Sequence, residues 1–116
     1  MRKFGLLCMT LLLWAITIAG ENYQGNASYY GNEFEGRTTA NGDKFSQNKF
    51  TCAHRTLPFG TKLKVENLEN GKEVIVVVND RGPFHGNRIL DVSKIAAQEL
   101  GMIQKGTAAV RIEVIE

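Results

Sequence analysis

One acid of this chain stands where a general acid is expected. Asp80 follows a run of five β-branched residues, 74–78, and belongs to the turn sequence Asn-Asp-Arg-Gly-Pro-Phe at 79–84. Such a run is typical of a strand buried on both faces, so an acid at its end leaves the core for a turn. Partial burial there favours the protonated carboxyl that a general acid needs. The alternative is a turn in which Asp80 only accepts bonds from nearby backbone amides.

Two further residues are candidates for the same chemistry. A neutral His54 imidazole can orient an acid or bind a substrate, although a buried histidine at the rim of the fold is the alternative. Asp43 follows Gly42 in a polar loop, where acids are commonly turn residues.

Cys52 and His54 share a face of an extended segment, as a Cys-His protease or a zinc site requires. Beyond residue 20 the chain has one cysteine and two histidines, so we predict no metal and no cofactor.

Short strands must position these residues. Apolar alternation and β-branched runs predict six strands, at 26–30, 50–54, 62–66, 73–78, 88–92 and 107–115. A long polar loop spans 31–49. Ser93 is a good N-cap for a single helix that ends before Gly101. This order predicts a mainly β fold, a small six-stranded closed barrel with one short helix.

The first twenty residues have the pattern of a secretory leader. Arg2 and Lys3 precede an uncharged apolar run that ends at the small residues Ala19 and Gly20. We therefore predict a signal peptide at 1–20, cleaved after Ala19 or Gly20, and one domain at 21–116. An uncleaved membrane anchor is the alternative, but no basic cluster follows the run. Without the leader, 12 basic and 12 acidic residues remain, which indicates neither nucleic acid nor membrane as a partner.

Four segments, in order and at matching intervals, carry a family resemblance. They are Ala-Ser-Tyr-Tyr-Gly at 27–31, Gly-Arg-Thr-Thr-Ala-Asn-Gly at 36–42, Ala-His-Arg-Thr-Leu-Pro-Phe-Gly-Thr at 53–61, and residues 79–84 followed by Gly86, Arg88, Asp91 and Ser93. Together they resemble the rare lipoprotein A family of peptidoglycan lytic transglycosylases. The resemblance covers the whole predicted domain and implies a double-psi β-barrel. It also implies endolytic, non-hydrolytic cleavage of glycan strands, with a preference for strands stripped of stem peptides.

The resemblance also implies catalytic residues. The family trio is a carboxylate eleven residues before a histidine, which precedes the aspartate by twenty-six, and these intervals select Asp43, His54 and Asp80. The family usually has glutamate at the position of Asp43. In the implied mechanism, Asp80 protonates the glycosidic oxygen and then takes the proton of the substrate's C6 hydroxyl, so that a 1,6-anhydro sugar forms. Cys8 lies too early in the apolar run for a lipid anchor, and we expect a periplasmic monomer.

Aromatic and basic residues near Asp80 are candidates for binding the glycan. Flat side chains suit sugar rings, and strand alternation puts Tyr29 and its neighbour on opposite sides, so that at most one should face a groove. Arginines suit glycan carboxylates, although a pair of Arg81 or Arg88 with Asp91 would instead hold the loops. We predict as substrate-binding residues Tyr30, Arg37, Arg81 and Phe84. The alternative function is a wall-binding or wall-loosening module, as in expansins.

Overall fold

The computed structural model of the protein describes residues 19–116. The predicted leader lies outside the described residues except for Ala19 and Gly20. In chain order the elements are β1 Asn22–Tyr29, a 3-10 helix Asn32–Phe34, β2 Thr51–Ala53, β3 Lys62–Asn67, β4 Glu73–Asp80, β5 Arg88–Val92, α1 Lys94–Glu99 and β6 Thr107–Val114. Within this part of the chain, no helix has the length and apolar character needed to cross a membrane.

The six strands close into one barrel in the order β1-β5-β2-β4-β3-β6, with β6 pairing back onto β1. The sheet is mixed, because β1 runs parallel to β5 and β2 runs parallel to β4, while the other pairs are antiparallel. β1 and β2 are consecutive in the chain but are not neighbours in the barrel, because β5 lies between them, so the loop that joins them must cross past β5. This closed six-stranded barrel with one short helix confirms the predicted fold.

The main core lies between the strands and receives side chains from all six of them. Its largest fully buried members include Leu63, Val65, Val76, Val78, Leu90, Val92, Val110 and Ile112. The prediction that β4 is buried on both faces was wrong, because Ile75 is 52% exposed. A closed barrel has a single interior, so even a continuous β-branched run turns alternate residues outward.

Two register shifts interrupt the ladders beside the site. Between β2 and β4 the partners step from Cys52 with Val78 to Ala53 with Asp80, which leaves one extra residue on β4. Between β1 and β5 the partners step from Asn26 with Arg88 to Ala27 with Leu90, which leaves one extra residue on β5. An extra residue of this kind bends the strand and re-aims the side chains beyond it. Asp80 therefore shares a face with Ala53, away from the interior that holds Val78.

The helix starts where it was predicted, but its cap differs. Ser93 occupies the N-cap position without a side-chain cap bond, and its buried hydroxyl has no hydrogen-bond partner within residues 19–116. The Oε1 atom of Gln47 instead accepts from the Lys94 amide at 2.7 Å. The same Gln47 side chain donates to the carbonyls of Tyr30 at 2.8 Å and Gly31 at 3.2 Å. This buried glutamine joins the long loop, the end of β1 and the helix, so it fixes the backbone of Tyr30.

Candidate functional site

Four strands contribute one residue each to a row that crosses the barrel surface. Ser28 pairs with Asp91, Asp91 with Ala53, and Ala53 with Asp80, so the row runs across β1, β5, β2 and β4. Directly paired residues project from the same face of a sheet. Neighbouring strands lie about 4.8 Å apart, which separates the two acids of the row by about 10 Å between their Cα atoms. The fold thus brings together residues that are up to 63 positions apart in sequence.

A groove of about 310 Å³ lies over this row. One wall is formed by the end of β1 and the 3-10 helix, and the other by the turn after β4. The lining residues are Tyr29, Tyr30, Gly31, Phe34, Ala53, Asp80, Arg81, Gly82, Pro83, Phe84, His85, Arg88 and Asp91. Contrary to the alternation argument, both tyrosines border the groove. Tyr29 does so while it packs against the main core and donates to the Ile103 carbonyl at 2.9 Å.

Asp80 is half-buried on the groove floor and accepts three hydrogen bonds. Its Oδ1 atom accepts from the amides of Ala40 and Arg81, each at 2.9 Å. Its Oδ2 atom accepts from the Tyr30 hydroxyl at 2.6 Å. Because two amides already occupy Oδ1, a proton on this acid resides on Oδ2. The arrangement leaves Oδ2 as the oxygen of Asp80 with the fewer protein donors.

Tyr30 presents its hydroxyl, and not its ring face, to the groove. Its ring stacks on Phe45 with centroids 4.2 Å apart and meets Phe34 edge-on at 5.5 Å, and only 9% of the residue is exposed. Burial, followed by the hydrogen bond to Asp80, raises the pKa of Tyr30 above its usual range. The phenol therefore keeps its proton and remains a donor to the acid. Stacking of a sugar on this ring, as predicted from the sequence, has no free face to use.

Asp43 lies outside the groove but supports it. Its carboxylate accepts from Asn41 Nδ2 at 3.1 Å and from Asn79 Nδ2 at 3.5 Å, and its carbonyl accepts from the Thr39 amide at 2.8 Å. These bonds close the tight turn that presents the Ala40 amide to Asp80. The structure thus joins Asp43 to the acid through the loop backbone and not by direct contact.

His54 adjoins Asp80 through the backbone, where its amide donates to the Asp80 carbonyl at 3.1 Å. The ring is buried, and its Nδ1 atom accepts from the amides of Thr56 and Leu57, both at 3.1 Å. Within residues 19–116 the ring makes no hydrogen bond to the Asp80 carboxylate. Burial, then the positive charges of Arg81 and Arg55, lower the pKa of His54 to about 4. The imidazole is therefore neutral near neutral pH, with its proton on Nε2.

The predicted substrate-binding residues differ in what they offer. Phe84 is 73% exposed at the groove and is free to meet a sugar ring. The Arg81 guanidinium donates to the Leu57 carbonyl at 2.8 Å and lies 4.1 Å from the centre of the Phe59 ring, so it is largely occupied. Arg37 does not line the groove and lies over the outer side of Phe34, at 5.2 Å from the ring centre.

Asp91 is held by a hydroxyl and not by an arginine. Its carboxylate accepts from the Ser28 hydroxyl, whose oxygen in turn accepts from Arg88 Nη1 at 2.9 Å. The direct pair of Asp91 with Arg81 or Arg88 that the sequence suggested is not among the ion pairs of residues 19–116. Cys52 lies just inside this region, in the main core, where burial and then the Asp91 charge raise the pKa of its thiol.

Sequence reasoning missed three supporting groups. Gln47, the Ala40 amide and Arg55 each act through long-range contacts. Arg55 donates to the carbonyls of Pro83 at 2.6 Å and Arg88 at 2.8 Å, and so it fixes the wall that carries Phe84. Arg55 and Ala40 lie inside the segments that carry the resemblance, which was the available signal, whereas nothing local marks Gln47.

Solved structures share this fold at low sequence identity. The Streptomyces papain inhibitor aligns with a TM-score of 0.70 and 20% identity, covering 87% of this chain and all of that one. An expansin from Clavibacter michiganensis aligns with a TM-score of 0.65 and 21% identity, covering 83% of this chain and 51% of that one. Likeness at this level of identity concerns the barrel alone.

Sequence relatives are much closer. A protein of Neisseria meningitidis serogroup A, named endolytic peptidoglycan transglycosylase RlpA, is 60% identical over 91 residues. The match covers 78% of this chain and 38% of that relative, so the chain spans well under half of its length. The sequence profile of a family described as lytic transglycolase matches residues 22–112, which include the whole row and both walls of the groove. By its sequence and its barrel, the chain belongs to the lytic transglycolase family.

Proposed function

We propose that this domain is an endolytic peptidoglycan lytic transglycosylase that acts through Asp80. The observation that carries the proposal is the Asp80 carboxyl in the lining of the groove, with Oδ1 occupied by two amides and Oδ2 bonded to the Tyr30 hydroxyl, so that Oδ2 keeps a lone pair for a ligand. The name of the Neisseria relative supports the substrate class. An extracytoplasmic location, where peptidoglycan lies, follows from that substrate.

In the proposed reaction Asp80 is both acid and base. Its Oδ2 proton passes to the glycosidic oxygen as the bond between that oxygen and the muramyl C1 atom breaks. The ionised Oδ2 then takes the proton of the C6 hydroxyl of the same sugar as its oxygen attacks C1. The products are a strand with a new free hydroxyl and a strand ending in a 1,6-anhydro sugar, and no water is consumed.

The surrounding residues have supporting roles in this proposal. Tyr30 donates to the carboxylate that forms when the proton leaves, and Asp43 holds the loop that supplies the Ala40 amide. His54 holds the turn at 54–57 through its Nδ1 atom and stays neutral. Phe84 is the residue most available for a sugar ring, and the predicted contacts of Arg37 and Arg81 with the glycan remain proposals.

The alternative is a module that binds wall glycan without cleaving it. Its specific support is that three donors surround Asp80, an arrangement that equally suits an acid retained only to hold two loops together. The two functions differ in whether a covalent product appears.

Mass spectrometry of soluble products separates them. The parent protein and two variants are each incubated with intact and with amidase-stripped peptidoglycan. The test variant is Asp80→Asn, and the matched surface variant is Glu113→Gln, which removes an acid that pairs with Lys64 on the outer surface of the barrel. We expect anhydro-muramyl products from the parent and from Glu113→Gln, and about 10²–10⁴-fold less from Asp80→Asn. Reducing-end products would indicate a hydrolase, and binding without products would favour the non-catalytic module.

A further inference from the structure

Two arginines line the groove, Arg81 and Arg88. Within the described part of the protein, Arg88 is the one whose guanidinium keeps most of its donors unbound. Its Nη1 atom donates to the Ser28 oxygen at 2.9 Å, and none of the four ion pairs within residues 19–116 includes it. Arg81, the other groove arginine, donates to two carbonyls and lies over Phe59. A guanidinium has five donors in a planar fork, so Arg88 keeps most of its donors for a ligand.

The partner of Arg88 is a neutral hydroxyl, which leaves its charge uncompensated by direct contact. Ser28 gives its own proton to Asp91 and accepts from Arg88, so it separates the two charges. The groove also carries the acids Asp80 and Asp91 and the guanidinium of Arg81, whose Nη1 atom donates to the carbonyls of His54 and Leu57. A ligand with a negative charge would be repelled by the two acids, and Arg88 offers it the larger number of unoccupied charged donors.

Arg88 is also held in place before any ligand arrives. It is the first residue of β5, where it pairs with Asn26 of β1, and its carbonyl accepts from Arg55 Nη2 at 2.8 Å. The residue is half-buried, so less side-chain freedom remains to be lost on binding. A fixed guanidinium that lines a groove suits two parallel bonds to one carboxylate.

We propose that Arg88 binds a carboxylate carried by the glycan, namely the lactyl carboxylate of a muramyl residue that lacks its stem peptide. This inference rests on the proposed function for the nature of the glycan. A muramyl residue with a stem peptide has an uncharged amide at that carbon, whereas a stripped residue has a free carboxylate there. Arg88 thereby distinguishes stripped from peptide-bearing sugars by charge, in addition to any difference in size.

The test measures binding, so that it does not depend on turnover. Stripped glycan fragments are prepared with free lactyl carboxylates or with the same carboxylates converted to methylamides. Their Kd values are measured by calorimetry for Asp80→Asn protein, with Arg88 intact or changed to Gln. We expect the methylamide to weaken binding about tenfold when Arg88 is present, since hydrogen bonds between charged groups have about that strength. The Arg88→Gln change should weaken binding of the free acid by the same factor and make the two ligands equal.

Two controls make the result decisive. Arg88→Lys should keep part of the preference for the free acid, because charge remains while the planar fork is lost. Arg111→Gln removes one positive charge from β6, outside the lining of the groove, where it pairs with Glu66, and should leave the preference at its full size. A preference that persists in Arg88→Gln, or that Arg111→Gln abolishes equally, would overturn the inference. Failure to release anhydro products would overturn the proposed function alone, because the binding comparison stands without it.

Discussion

Asp80 and Asp91 lie in the same row, two strands apart, yet their surroundings differ. Asp80 lines the groove and accepts from two backbone amides and a buried phenol, which leaves Oδ2 with a single protein donor. Asp91 accepts from the Ser28 hydroxyl, which is itself held by Arg88. One acid is thus oriented with an oxygen available to a ligand, and the other anchors an arginine. The contrast teaches that the donors around a carboxylate, more than its place in a groove, decide its role.

Variants that remove the charge of either carboxylate test this contrast and should give the largest effect on the rate. We expect Asp80→Asn to lower the rate of anhydro-product formation by about 10²–10⁴-fold, because the amide can neither give nor take the proton. Asp91→Asn keeps an oxygen for Ser28 and should cost less than about tenfold, mainly in KM. Steady-state rates on stripped strands measure both. Equal losses from the two variants would contradict the assignment of different roles.

Removal of the phenol tests what orients Asp80. Tyr30→Phe keeps the stack on Phe45 and deletes only the donor to Oδ2. We expect kcat to fall by about ten- to hundredfold with little change in KM, since the lost bond stabilises the carboxylate formed during reaction. Tyr29→Phe is the matched control, because its hydroxyl binds only the Ile103 carbonyl. A rise in KM with kcat unchanged would instead indicate that Tyr30 binds substrate directly.

The loop beneath Asp80 offers a smaller effect. Asp43→Asn leaves the Asn41 and Asn79 amides without their carboxylate acceptor and loosens the turn that carries Ala40. We predict a loss in kcat of about three- to tenfold, unchanged KM, and recovery in Asp43→Glu, which restores the acceptor. If Asp43→Glu loses as much kcat as Asp43→Asn, the contribution of Asp43 depends on the length of its side chain and not on its hydrogen bonds in the turn.

His54 supplies a pH test beside the row. Its pKa is lowered to about 4 in the fold, so the unfolded chain binds a proton at higher pH than the folded one. The stabilising contribution of the neutral ring is complete above pH 6.5 and is lost as the pH falls toward 4. We expect a loss of about 1–2 kcal/mol over that window, after allowance for screening by nearby solvent.

His54→Asn is the control for this titration, because its side-chain oxygen can accept at the place of Nδ1 and does not titrate. The quantity to compare is the free energy of unfolding in urea at several pH values. The parent should lose more stability than His54→Asn between pH 6.5 and 4. Parallel curves would show that protonation of His54 is not linked to folding.

The strands and the helix were predictable because apolar periodicity survives in a small barrel. β5 has the predicted bounds, while β1 begins at Asn22, four residues before its predicted start. The early part of β1 pairs with β6 but carries exposed polar side chains, which give no apolar signal. The prediction of burial on both faces failed for Ile75, because such burial requires cover that the outside of this barrel lacks there.

Candidate residues for the site could be named from the sequence, but their geometry could not. Asp80 was proposed from its turn and from family resemblance, whereas the row that contains Ala53 and Asp91 depends on which strands become neighbours. Regular alternation would place Asp80 on the same face as Val78 and Arg88 on the same face as Leu90. Each pair is separated by a register shift, and such shifts leave no periodic signal in the sequence.

These two register shifts make the site sensitive to strand register. Asn79 is the additional residue of β4, and if the β2–β4 ladder instead ran evenly through it, Ala53 would pair with Asn79 and Asp80 would turn into the barrel interior. Every apolar residue before it could keep its place. For this fold, the loss of one register shift is therefore a more drastic change to the groove than most substitutions, and alignments of related barrels must match the shifted residues to carry function from one to another.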